Sequence, residues 1–106
     1  MEIISAVTIV NETIKAEEEH KARARKEAER VLEEYNFNER VRIAAMGEQW
    51  KLREPITFHS EDVATAAKRM LEEAGYIVYL YRDKVRANMW NATVTWSRKN
   101  TRNMEG

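Results

Sequence analysis

One apolar stripe governs the first third of this chain. Ile3, Val7, Val10, Ile14, Glu17, Lys21, Ala24, Ala28, Val31 and Tyr35 follow one another at alternating spacings of four and three. Residues so spaced line one face of an α-helix. Lys15–Glu34 holds neither Gly nor Pro and is rich in Ala, Glu, Lys and Arg, which favour helix. A helix over residues 3–35 would run about 48 Å, longer than a domain of this size needs. The stripe turns polar at Glu17 and Lys21, which predicts a solvated middle. The β-branched run Ile3–Val10 also fits a strand, though its alternation is poor, so helix and strand both stand there.

The remaining chain divides at Asn36-Phe37-Asn38. Asn38 is a helix cap for Glu39–Met46, with Gly47 as a left-handed closing residue. Trp50 and Leu52 alternate with Lys51 and Arg53, the pattern of a half-buried strand that Pro55 ends. Ser60 caps a helix that carries Glu61 and Asp62 in its first turn. That helix presents Val63, Ala66, Ala67, Met70, Leu71 and Ala74, and Gly75 closes it. Tyr76–Arg82 is dense in strand formers. In the last strand Ala92, Val94 and Trp96 alternate with Thr93, Thr95 and Ser97. Val94 and Trp96 are expected to be buried against Val63, Ala67 and Met70.

The expectation is one α+β domain: a long N-terminal helix, a short helix, then β-α-β-β with a three-stranded sheet. Residues 1–37 form the long helix, 38–97 the compact core, and 98–106 a disordered tail. A length of 106 residues suits a single domain.

Composition excludes more than it suggests. There is no cysteine, hence no disulfide, thiol nucleophile or thiolate metal site. Lys and Arg number 18, as do Asp and Glu, so no net field favours nucleic acid or an anionic membrane. Met1-Glu2 lacks a positive leader, and Ser5 and Thr8 break the apolar run. Neither a signal peptide nor a membrane span is expected, and the lack of cysteine fits the cytoplasmic location expected here.

The order of motifs resembles a class of small accessory proteins encoded by tailed bacteriophages. The residues that carry the likeness are Ala44-Ala45-Met46-Gly47-Glu48, Ala74-Gly75-Tyr76 and the closing Thr93-Val94-Thr95-Trp96-Ser97. The closing pair runs Trp-Ser rather than Ser-Trp, and nine residues follow it. The resemblance implies a phage origin and this fold; for a phage-encoded chain the location expected is the host cytoplasm, with a host protein as a candidate partner. It assigns no activity and no site.

Catalytic candidates are weak. His20 with Glu17 makes only half a metal site, since zinc wants three or four ligands. His59 precedes Ser60 at a helix start, where capping accounts for the serine. Glu17-Glu18-Glu19 point to different sides of a helix, as do Glu33-Glu34 and Glu72-Glu73. Three glycines, Gly47, Gly75 and Gly106, make no phosphate loop. The reading is a protein without enzymatic activity, cofactor or metal.

Two surfaces remain. With Trp50, Leu52, Val78, Leu80, Val94 and Trp96 inside, the outer sheet face carries Lys51, Arg53, Tyr79, Tyr81, Thr93 and Thr95. Aromatics among basic residues on a sheet stack single-stranded bases in some modules, which makes Lys51, Arg53, Tyr79 and Tyr81 a candidate nucleic-acid face. The second surface is the stripe Ile3, Val7, Val10 and Ile14, for which nothing in the chain offers a cover. It suits a homodimer or a partner protein. A protein-interaction module is the first reading and a small nucleic-acid-binding protein the alternative.

Overall fold

The structure, a computed structural model, describes residues 1–101. Its elements are α1 (Ala6–Glu34), α2 (Phe37–Met46), β1 (Ile56–Phe58), α3 (Glu61–Glu73), β2 (Ile77–Arg82), β3 (Trp90–Thr95) and α4 (Arg98–Thr101). The α+β class and the order of a long helix, a short helix and β-α-β-β are as expected.

The run Ile3–Val10 is helical from Ala6. Ser5 caps it, its Oγ accepting the Val7 N–H at 3.2 Å, which leaves Ile3 and Ile4 ahead of the first turn. Asn36 ends the long helix in a left-handed turn at φ 60°, a conformation Asn tolerates. Asn38 therefore caps nothing. The second helix begins at Phe37, whose side chain is buried. Gly47 is not left-handed either. Glu48 takes that conformation at φ 62°, and Gln49 N–H reaches the Ala44 carbonyl at 2.9 Å to close the helix. Gly75 does close α3, at φ 99°. There Gly75 N–H donates to the Glu72 carbonyl and Tyr76 N–H to that of Leu71, both at 3.0 Å, the paired bonds of a Schellman turn.

The first strand is not where the Trp50–Arg53 alternation places it. Residues 50–52 make only a single bridge, Lys51 to Thr95, supported by the Leu52 N–H to the Val94 carbonyl. The strand is Ile56–Phe58, directly after Pro55. A proline just ahead of a strand removes no bond from the ladder, so it opens this strand instead of ending one. β1 and β2 both pair antiparallel with β3, which lies between them. Arg98–Thr101, expected in a disordered tail, form one helical turn; the rest of that tail lies outside the described residues.

Helix α3 covers one sheet face. Ala64, Ala67 and Leu71 pack there with Ile56 and Phe58 of β1, Val78 of β2 and Ala92 and Val94 of β3. The core does not begin at residue 38, because Ala28 and Leu32 of α1 belong to it. Val94 is buried as expected, whereas Trp96 is only half-buried. It sits at the rim, edge-on to Tyr76 at 6.1 Å, and Tyr76 is in turn edge-on to Phe37 at 5.2 Å.

Among the described residues Phe58 is the largest wholly enclosed side chain. Phe58→Ala is expected to cost about 3–5 kcal/mol, and Trp96→Ala distinctly less. Urea unfolding of the two variants checks the order; an equal or larger loss at Trp96 would contradict this account of the core.

Candidate functional site

Two surfaces are open for binding, and the fold positions them differently. The first is the N-terminal arm. Every residue from Met1 to Arg23 is exposed, and the first fully buried position of α1 is Ala28. The eighteen α1 residues before Ala24 extend roughly 27 Å beyond the part of the helix that meets the core. The radius of gyration is 18.0 Å, against about 13 Å for a compact domain of about 100 residues. Val7, Val10 and Ile14 lie along one face of the arm with 70%, 54% and 47% of their surface exposed, and Ile3 ahead of the cap has 86%. Single exposed hydrophobes are ordinary, but a contiguous row of them marks an interaction surface. At the base of the arm His20 Nε2 meets Asp62 Oδ2 at 3.0 Å, and Arg25 meets Glu73 at 3.3 Å. Both pairs are exposed, so each stabilises little.

The second surface is the sheet face opposite α3. Register places Tyr79 beside Thr93 and Tyr81 beside Asn91, while the bridge puts Lys51 beside Thr95. Tyr79 is 62% exposed and Tyr81 43%. Lys51, Tyr79 and Tyr81 therefore share one face, as their alternation predicts. Arg53 does not join them. The chain bends after Leu52, and Arg53 lines an open groove of about 950 Å³ with Tyr35, Arg40, Ile43 and Gln49, which Lys51 also lines.

One feature of the sheet face was not legible as a site. Asn91 is buried among polar groups. Its Nδ2 donates to Asp83 Oδ2 at 3.2 Å, and its Oδ1 accepts from Thr57 Oγ1 at 2.9 Å. Asp83 also accepts the Val85 and Arg86 backbone N–H groups, each at 2.9 Å, and the Arg86 guanidinium. These donors hold its carboxyl well below the usual carboxylate range. The arrangement fastens the β2–β3 loop to the sheet and engages both polar side-chain atoms of Asn91. An Asp directly after a strand with Arg three residues on was the available signal, the mark of a side chain that folds back on its own turn.

The catalytic candidates stay apart. His20 pairs with Asp62 and not with Glu17. Ser60 Oγ accepts the Val63 N–H at 3.1 Å, so it is engaged as the cap of α3. The adjacent glutamates on α1 do not converge. Instead Arg30 bridges Glu27 and Glu34 along the helix. Among the described residues no group of three His, Asp or Glu side chains is placed to hold a metal ion. Among them, too, no helix is long and apolar enough to cross a membrane.

No protein-family model, curated protein or solved structure matches the chain. Any functional reading therefore rests on the two surfaces themselves.

Proposed function

We propose that this chain is a non-enzymatic protein-interaction module whose working part is the N-terminal arm, and that the arm pairs with a second copy of the chain. One observation carries the reading: Val7, Val10 and Ile14 stand in a row on a helix whose first 18 residues touch nothing that would bury them. A self-complementary patch satisfies itself in a two-fold dimer without any further molecule. The phage resemblance supplies the other occupant, a host protein met in the host cytoplasm. Whether the purified chain assembles alone separates the two.

The alternative is a small nucleic-acid-binding protein that uses the sheet face. Tyr79 and Tyr81 support it, since they are exposed side by side on an uncovered sheet. The displaced Arg53 weighs against it, because only Lys51 is left as a cation among the candidate residues on that face. This alternative requires binding of a mixed-sequence oligonucleotide that weakens with salt and with Tyr79→Ala. No binding in low salt removes it.

Light scattering on the purified chain at tens of micromolar tests the arm. The expected mass is twice the 12.5 kDa of one chain, returning to a single chain on deletion of residues 1–14. A full-length chain that stays at 12.5 kDa throughout would overturn self-pairing.

A further inference from the structure

The exposed stripe reads the same in both directions. Ile3, Val7, Val10 and Ile14 form the pattern Ile-x-x-x-Val-x-x-Val-x-x-x-Ile. When two such segments run in opposite directions, Ile3 of one lies against Ile14 of the other and Val7 against Val10. The two-fold axis falls between Thr8 and Ile9. The flanking charges obey the same symmetry, for Glu2 then falls at the level of Lys15 of the second copy.

The competing registers do worse. Parallel arms would set each residue against its own copy. The stripe continues through Glu17 and Lys21, so two glutamates and two lysines would each meet their like across the seam. A longer antiparallel overlap could pair Glu17 with Lys21, but its centre would lie between Glu18 and His20. That register draws Ala28 into the seam opposite Val10, and Ala28 is wholly buried against its own core. The free arm is long enough for the short register and too short for the long one.

We infer that two copies pair through antiparallel arms centred between Thr8 and Ile9, with the two α+β bodies at opposite ends of the assembly. This inference rests on the arm-pairing reading and goes beyond it in fixing direction and register. Ile3 lies ahead of the Ser5 cap in the single chain, so its pairing with Ile14 includes one further helical turn, residues 3–5, that forms when the arms meet. The overlap from Ile3 to Ile14 spans about 18 Å. A seam of that length buries less than a standard stable interface, and the assembly is accordingly weak and concentration-dependent.

The chain has no cysteine, so single cysteines report the register without background. A disulfide needs Cα atoms within about 7 Å. In the antiparallel arrangement the two copies of residue 14 stand about 16 Å apart along the axis, whereas residue 14 of one copy lies beside residue 3 of the other. Ile3→Cys and Ile14→Cys proteins, one carrying a size tag, are oxidised separately and as a mixture at tens of micromolar. The mixed disulfide is expected at least tenfold above either self-linked product. Ile14→Cys linking to itself as readily as in the mixture would show parallel arms and overturn the inference. If no product forms although light scattering shows the parent dimer, the seam lies elsewhere and the inference also fails. If the parent is a monomer as well, the arm-pairing reading falls with it. Both substitutions lie on the exposed arm, outside the core, so neither threatens folding.

Discussion

Everything in this structure hangs on the docking of the last turns of α1 on α3. Ala28 on one helix and Ala64 and Ala67 on the other are wholly buried. Side chains this small let helix backbones approach closely. Leu32 and Leu71 fill the space beyond them. The docking site is set by α3, which has only 13 residues, while α1 has 29. A helix cannot bury more of itself than its partner is long. The surplus must project, and its apolar residues must be left without cover or find it in another molecule.

The sequence pattern hides this division. Spacing of four and three runs unbroken from Ile3 to Tyr35, and by periodicity alone the two halves are one element. What separates them is side-chain size and charge. The docked half carries small Ala24 and Ala28. The free half carries Ile and Val. Glu17 and Lys21 mark the place where the helix leaves the body. The same logic explains why residue 37 looked like a boundary: Asn36 does turn the chain, but the core reaches back across that turn to Ala28.

Other parts were legible to different degrees, for physical reasons. The α3 helix was readable at both ends, because Ser60 caps it and Gly75 adopts the left-handed closing conformation. The two faces of β2 and β3 followed from alternation, and Tyr79 and Tyr81 point outward as it requires. β1 escaped notice because three residues are too few to show a period, and because Pro55 reads as a stop when it is a start. The polar clamp of Asp83, Asn91 and Thr57 was hidden because its three members are far apart in sequence and each alone is an ordinary surface residue. It matters for the sheet face, since it ties down one end of that face beside the exposed Tyr79 and Tyr81.

The central claim is that α1 has two halves with different sources of protection: its own domain for one and a second copy for the other. Amide hydrogen exchange at two protein concentrations measures this directly, because protection reports local opening. Amides from Ile9 to Lys15, the first with i→i−4 partners, are predicted to exchange slowly at high concentration and much faster on dilution, while those from Ala24 to Leu32 stay protected at both. Exchange in the arm that is the same at both concentrations would contradict the account.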